Sequence, residues 1–285
     1  MSKNCILCKS SKNKVIFEEF GIDILQCVNC GHVFSTYERR QDYEGYFGSG
    51  IINATDDFFW ADEAHRLMYD DFCRRFIVGT KEGRRLLDVG CGLGFFVKRI
   101  SNFPKWDVFG YEISPAAVDF AKNKLGLKNI FCGKVEDSNF KKQSFDIITL
   151  WDVIEHIPDS SPLLSYLHSI LKNDGILFMH TPNVKVMLPM AKLTKLLFGM
   201  KRNLHYLEAK DHMNLYSVKT IRMLLQNSGF NKVAFIHLSP IQSVAGSKSN
   251  FLRFIKNLYV IFSRLLWMIT FGRINMDNLF VVAGK

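Results

Sequence analysis

The segment Arg85-Leu-Leu-Asp88-Val-Gly90-Cys91-Gly92-Leu-Gly94-Phe-Phe-Val-Lys98 constrains this chain more than any other. An apolar strand runs into a turn with three glycines and leaves as a helical pattern carrying Phe95, Phe96, Val97 and Ile100. Glycines let the backbone turn tightly and let a ligand approach it with no side chain in the way. A dinucleotide-binding loop in G-x-G-x-x-G spacing needs its third glycine at position 95, which is Phe95. Asp88, just ahead of the first glycine, suits a ligand carrying an ammonium group and would repel a pyrophosphate.

About twenty residues on, Asp107–Ile113 reads as a second strand carrying Glu112 near its end. A carboxylate there can accept both hydrogens of a ribose diol. Ser114-Pro115 supplies an N-cap and first helical position, and Gly126 a helix stop.

The 285 residues fit one full-sized domain plus something small. With 48% hydrophobic and 22% charged residues there is ample material for a core, which sets disorder aside. The polar, lysine-bearing stretch Met1 to Lys14 lacks the apolar core of a signal peptide, so a cytoplasmic location is expected, where thiols stay reduced. The seven cysteines are then metal ligands or buried thiols. The net charge of +10 permits nucleic acid, anionic lipid or phosphorylated metabolites as partners without choosing among them.

Cys5-x2-Cys8, eighteen intervening residues and Cys27-x2-Cys30-Gly31 form a four-thiolate zinc pattern. Each pair can curl its backbone around one ion, and the intervening Val15–Phe17 and Ile22–Leu25 read as a hairpin. Four thiolates leave no open coordination position, so the expected zinc is structural. Cys73, Cys91 and Cys132 have no matching partners and read as small buried residues.

Asp88-Val-Gly90-Cys91-Gly92-Leu-Gly94, followed by Tyr111-Glu112, resembles motif I and the acidic residue after strand 2 of class I S-adenosylmethionine (SAM)-dependent methyltransferases. Further matches come in order: Val135-Glu136-Asp137 after a strand at Asn129–Gly133, Phe145 to Asp159 as strand 4 and its loop, and Leu171 to Phe178 as the turn into strand 5. His212-x4-Ser217 through Gly229-Phe230, and the terminal Asn278–Val282, complete the set. The resemblance implies a doubly wound, Rossmann-like α/β domain with a seven-stranded sheet and an antiparallel last strand, preceded by a small zinc-ribbon-like module. The expected division is a four-cysteine module at 1–36, a helical linker at 37–83 and a methyltransferase domain at 84–285, with insertions at about 183–211 and 247–272.

The same resemblance implies SAM contacts from Asp88, Gly90, Cys91, Gly92, Gly94, Glu112, Val135, Glu136 and Trp151. It places the acceptor beside the loops after strands 4 and 5, where His156 and His212 are candidate general bases, with Asp152, Glu155 and Tyr216 in support and His205 a weaker third. Asp152-x2-Glu155-His156 is also similar to a divalent-metal segment of some quinone-biosynthesis O-methyltransferases. Sugar methyltransferases of bacterial glycan pathways likewise join a four-cysteine module to this domain. Their linker resembles Tyr43-x2-Tyr46-Phe47-Gly48-Ser49 and Trp60 through His65. The carbon-methylating ones place a Tyr three residues before the His, where this chain has Ala209, and carry a further C-terminal domain. The expectation is therefore methylation of a hydroxyl on a sugar-containing or phosphorylated small molecule.

The insertion after strand 5 has helical apolar spacing over Val186–Phe198 and is basic through Lys192, Lys195, Lys201 and Arg202, which suits a lid over a phosphorylated acceptor. Asn250–Thr270 reads as an amphipathic helix with Phe251, Ile255, Leu258, Phe262, Leu265, Leu266 and Ile269 on one face, packed in the core or in a homodimer in preference to lying on a membrane surface. Two rival functions stand beside this reading. One is RNA methylation, weakened because Trp151-Asp-Val-Ile-Glu-His156 is not the Pro-Pro motif of base-amine methyltransferases; the other is a non-catalytic SAM-binding protein.

Overall fold

Strand β4 (Arg84–Val89) is the middle of a seven-stranded sheet, and its burial explains its composition. Leu86 and Leu87 point to opposite faces, and both are fully buried. A computed structural model describes residues 4–39, 45–47, 52, 62–202, 204, 206–239, 241, 250–270 and 278–285. Tyr43, Gly48, Ser49, Trp60 and His205 lie outside the described residues.

Two sheets are formed. The small one begins with β1 (Asn13–Glu19), β2 (Ile22–Cys27) and β3 (Val33–Ser35), antiparallel throughout, and ends on β9 (Asn214–Leu215). The large one contains β4, β5 (Trp106–Glu112), β6 (Ile130–Cys132), β7 (Phe145–Trp151), β8 (Leu171–Thr181), β10 (Lys232–Ile236) and β11 (Leu279–Gly284). Its spatial order is β10-β11-β8-β7-β4-β5-β6. The pairs β4·β5, β4·β7, β5·β6 and β7·β8 are parallel, while β11 is antiparallel to both β8 and β10. This is the doubly wound seven-stranded sheet expected from the motifs, with its last strand reversed. Strand order turns back between β4 and β7, which opens a crevice outside the carboxyl ends of those strands.

Helices α1 (Arg66–Phe72, continued as one wide π-helical turn over Cys73–Ile77), α2 (Phe95–Ser101), α3 (Pro115–Asn123), α4 (Ser161–Ile170) and α6 (Val218–Asn227) cover the sheet. The caps are the ones the side chains dictate. Ser114 accepts from Ala117 N ahead of α3, and Ser217 forms a reciprocal capping box with Thr220 at α6. Beneath one face, Trp151 packs edge-on against Tyr69, Phe72 and Phe96 with ring centroids 5.0–5.5 Å apart, and lies 4.6 Å from Phe178. At the opposite end of the strands, buried Asp146 accepts from Arg84 at 2.9 Å, Lys172 at 2.8 Å and the Arg85 amide at 2.9 Å, clamping β4, β7 and β8 together.

Two expectations, for Cys132 and for the helix at Asn250–Ile269, are changed by packing, and the expected insertion helix shows which of its residues are buried. Cys132 is exposed rather than buried, because β6 is a three-residue edge strand with only Ile130 turned inward. The insertion helix α5 (Val184–Phe198) buries Val184 and Ala191 but leaves Leu193, Leu196, Leu197 and Phe198 exposed. Helix α7 (Asn250–Ile269) turns Ser263, Arg264 and Trp267 toward the body, with Arg264 donating to Leu238 O at 2.8 Å, and leaves Leu258, Phe262, Leu265 and Ile269 exposed. Core packing of that apolar face is therefore overturned over its described side chains, since a guanidinium takes the inward position.

Candidate functional site

The glycine turn bends where no other residue fits. Gly90 has φ +72°, and a β-carbon on it would begin 2.5 Å from Val153 Cγ2. Beyond the turn the backbone enters α2 directly, with Lys98 N donating to Gly94 O. Glu112, at the end of β5, is 8% exposed and faces this turn. Its Oε2 accepts from Gly92 N and its Oε1 from Ser114 N, both at 2.9 Å. Burial raises its carboxyl above the ordinary glutamate range, opposed by those amides. Each carboxylate oxygen has a second lone pair, so both remain able to accept from a ligand hydroxyl. From the linker, Gly45 comes against Glu112 and Ile113, and Phe47 against Gly92, so this short segment covers the loop.

The other sequence-derived cofactor positions are arranged less simply. Cys91 is buried between β4 and β5, its sulfur against Gly110. Asp88 does not reach outward to a ligand ammonium: it is 2% exposed, accepts from Thr149 Oγ1 at 2.7 Å, and burial pushes its carboxyl up to about 8. Val135 sends its side chain into the core, so only its backbone is available at the surface, whereas neighbouring Glu136 is half-buried. Trp151 is buried in the aromatic cluster, and its Nε1 has no hydrogen-bond partner among the described residues.

At the carboxyl ends of β7 and β8 lies a second cluster. Asp152 takes a left-handed φ of +52° and lies between two imidazoles, His180 Nδ1 at 2.9 Å and His65 Nε2 at 3.6 Å. Burial would raise the Asp152 carboxyl, but these two partners hold it well below the usual range. His156 and His212 have ring centroids 5.0 Å apart. Nδ1 of His156 lies 3.1 Å from Asp211 O and donates to it, which leaves Nε2 as the acceptor. Burial, then the neighbouring His212, lowers His156 to about 4; burial also lowers His212. Both rings are therefore neutral near pH 7, the form a proton acceptor requires.

A divalent cation would find its donors here differently from the sequence pattern. Asp152 is engaged by His180 and His65, and the atoms within 4.8 Å of one another belong to Glu155, His156 and His212. Burial, followed by the Asp152 charge, pushes the Glu155 carboxyl up, and its Oε2 accepts from Thr181 at 3.0 Å. Tyr216, expected beside the base, is fully buried with its hydroxyl 3.4 Å from Ser160 Oγ, so it supports the site from below.

Sequence reasoning missed His65 and His180 as members of this cluster. His180 carried a signal, since it sits one residue from the end of a parallel strand, at the edge where ligands bind. His65 entered only as the last residue of the linker resemblance, and the packing of α1 is what brings it to Asp152.

At the amino end, the four cysteines converge. Sγ of Cys5 lies 3.5 Å from that of Cys30, and Cys8 3.4 Å from Cys27; all four sulfurs lie within 4.8 Å of one another. A tetrahedron of ~2.3 Å zinc–sulfur bonds spaces its sulfurs ~3.8 Å apart, so the donor set fits that ion.

Residues 59–234 match a family described as a methyltransferase domain. A ubiquinone biosynthesis O-methyltransferase of Neisseria meningitidis is 30% identical over 107 residues, 35% of this chain and 45% of that protein. A malonyl-[acyl-carrier protein] O-methyltransferase of Ilyobacter polytropus is 28% identical over 191 residues, 62% of this chain and 71% of that protein. Thus the chain spans about half the length of the first of these relatives. Among solved structures, a Haemonchus contortus phosphoethanolamine N-methyltransferase in complex with S-adenosylhomocysteine superposes with TM-score 0.52 at 17% identity, covering 84% of this chain and 60% of that one. The Pyrococcus horikoshii PH0226 protein superposes with TM-score 0.53 at 12% identity, covering 87% and 100%. At these identities the superpositions show the fold.

Proposed function

The chain belongs to the class I SAM-dependent methyltransferase family, and from that premise we propose that it methylates a hydroxyl of a small molecule, with His212 and His156 serving as proton acceptors. The observation that carries the reading is the pairing of two sites along one sheet edge: the Glu112 carboxylate facing the glycine turn, and two neutral imidazoles beyond β7. SAM, when bound, supplies an electrophilic methyl group.

The residues of the chain supply the rest. Glu112 would hold the ribose hydroxyls, the amides of the glycine turn would line the approach to the methionyl part, and Glu136 with the Val135 backbone would flank the adenine. His156 Nε2, whose partner nitrogen is committed to Asp211 O, would take the hydroxyl proton, or pass it to His212 beside it. His180 and His65 hold Asp152 ionised at the rim, where it would favour the imidazolium that forms. Relatives named as O-methyltransferases support oxygen as the acceptor atom.

The substrate class is read from the additions to the fold. Helix α5 and the turn after it carry Lys192, Lys201 and Arg202 on the exposed surface, next to exposed Leu193, Leu196, Leu197 and Phe198. No helix among the described residues is long and apolar enough to cross a membrane. Basic residues beside an exposed apolar ridge suit an anionic surface, so the acceptor is a phosphate-bearing molecule met at a membrane face, and its sugar rests on the resemblance of the cysteine module and linker to those of sugar methyltransferases. A second copy of the chain is the other occupant these ridges would suit. The four N-terminal cysteines would hold one structural Zn²⁺.

The test uses methyl-tritiated SAM with a panel of nucleotide diphosphate sugars and isoprenoid-phosphate-linked sugars. Transfer to a hydroxyl of one of them, lost ~10²–10⁴-fold in His212→Ala and in His156→Ala with S-adenosylhomocysteine affinity kept, is the expected result. Near-normal turnover in both variants would leave positioning as the whole mechanism and remove the base assignment.

A further inference from the structure

We infer that the N-terminal cysteine module forms part of the acceptor site, its Glu19 and His32 acting as positioning residues for the two segments that carry His212 and His156. The inference rests on the reading of those imidazoles given above.

The small sheet contains the first observation. Three of its strands come from the module, but the fourth, β9, begins two residues after His212 and pairs with β3 in a defined register, Val33 with Leu215 and Phe34 with Asn214. Ser35 reinforces the seam: its amide donates to Met213 O at 3.0 Å and its hydroxyl donates to Ala209 O. A slip of one residue would turn every side chain of β9 to the other face, so the register sets the direction in which the neighbouring chain departs.

Glu19, the last residue of β1, supplies the second. It is 7% exposed, and its Oε2 accepts from both Leu207 N at 3.1 Å and Ala209 N at 3.2 Å. Between these amides lies Glu208 with φ +57°, a conformation a side-chain-bearing residue does not adopt without support. Glu208 O in turn accepts from the amides of Asp211 and His212, each at 2.8 Å. One carboxylate from the module therefore braces a strained residue whose carbonyl anchors the His212 backbone.

His32 supplies the third. It is fully buried, and its Nε2 lies 2.9 Å from Oδ1 of Asn214, itself 1% exposed. The amide nitrogen of Asn214 donates to Ile157 O at 2.7 Å and Pro158 O at 3.3 Å. Those carbonyls require the amide nitrogen of Asn214, which turns its oxygen toward His32 and makes Nε2 the protonated nitrogen. Ile157 directly follows His156. One module imidazole thus reaches the His156 turn through a single side chain, while Glu19 reaches the His212 turn. The glycine turn and Glu112 are held by other elements, namely β4, β5 and α2.

The experiment compares the full-length parent with Glu19→Leu, Glu19→Asp, Glu19→Gln and Asn214→Leu, using S-adenosylhomocysteine as the ligand probe. Glu19→Gln keeps an oxygen that can accept from both amides, whereas Asp is one methylene too short and Leu accepts nothing. Affinity by calorimetry, amide exchange of residues 207–212 and the ¹⁵N imidazole resonances of His156 and His212 are recorded. Glu19→Leu and Glu19→Asp should leave affinity within twofold, accelerate amide exchange at least tenfold, and shift the His212 resonance. Asn214→Leu should shift both imidazole resonances, and Glu19→Gln should restore parent behaviour. Unchanged exchange and resonances in Glu19→Leu, Glu19→Asp and Asn214→Leu would overturn the inference. So would loss of S-adenosylhomocysteine affinity or of cooperative melting, since the module would then support the whole domain. The base assignment fails separately, by near-normal turnover in both His212→Ala and His156→Ala, whatever the Glu19 and Asn214 variants show.

Discussion

Replacing Glu112 by Gln removes one charge and changes almost no volume, which makes it a direct probe of the cofactor reading. In the parent, Oε1 and Oε2 each accept one backbone N–H at 2.9 Å, from Ser114 and Gly92. A glutamine can satisfy one of them; its NH2 group then faces the other N–H, and a buried donor left without an acceptor costs ~1–3 kcal/mol. In a chain of this size that is a melting temperature lower by ~2–4 °C for each kcal/mol. Ligand binding loses more, because hydrogen bonds to a charged acceptor are worth ~1.5–3 kcal/mol and the ribose hydroxyls meet an amide instead. A net loss of ~2–3 kcal/mol raises the dissociation constant for S-adenosylhomocysteine ~30–150-fold. Calorimetry at pH 8 measures it directly. The acid limb adds a control: burial raises the Glu112 carboxyl above its ordinary 4.5, so parent affinity should start to fall at a higher pH than an exposed glutamate would give. The variant, with nothing to titrate there, should lack that limb. A dissociation constant within threefold of the parent would refute the assignment.

Elemental analysis of protein purified without chelator should find one zinc per chain, and Cys5→Ser or Cys27→Ser should lose it; zinc-free parent protein would end that proposal. Asp146→Ala strands Arg84, Lys172 and the Arg85 amide together, and should cost about 2–3 kcal/mol by urea unfolding. That is below the usual figure for breaking a buried pair, because both cations are about a third exposed. Since burial is outweighed by Lys172 and Arg84, the Asp146 carboxyl lies below its ordinary 3.8. Its stabilisation is therefore present above that pH and lost as acid protonates it, a limb that Asp146→Ala should not show. Vesicles carrying anionic lipid should co-sediment the parent weakly at physiological salt, neutral vesicles should not, and Leu196→Glu with Leu197→Glu should abolish the difference. Equal binding to both vesicle types would leave a freely diffusing acceptor.

The strand–turn–helix at Arg85–Lys98, the acidic end of β5 and the two cysteine pairs could be read in one dimension because each is a local device. A glycine with φ +72° or a Cys-x2-Cys knuckle is decided by residues adjacent in the chain. The order of the strands followed from the order of the motifs, since parallel strands joined through helices have few topologies open to them. Side-chain orientation at the site did not follow. Asp88 stands in a motif that suggested contact with a ligand, yet the sheet turns it to Thr149; Asp152 read as a support for the base, and only the packing of α1 and β8 brings His65 and His180 to it. Which way the apolar stripe of α7 faces was equally open, because an amphipathic pattern states that two faces differ and not which one meets the body. Most of all, the junction of β3 with β9 joins residues about 180 positions apart, and no periodicity or spacing encodes such a pair. The sequence by itself determined the fold, the glycine turn and the four-thiol cluster. Only the tertiary structure decided which histidines meet, which carboxylates are occupied, and that Glu19 of the N-terminal module reaches the turn that carries His212 while His32 reaches, through Asn214, the turn that follows His156, because those contacts exist only once distant segments share one core.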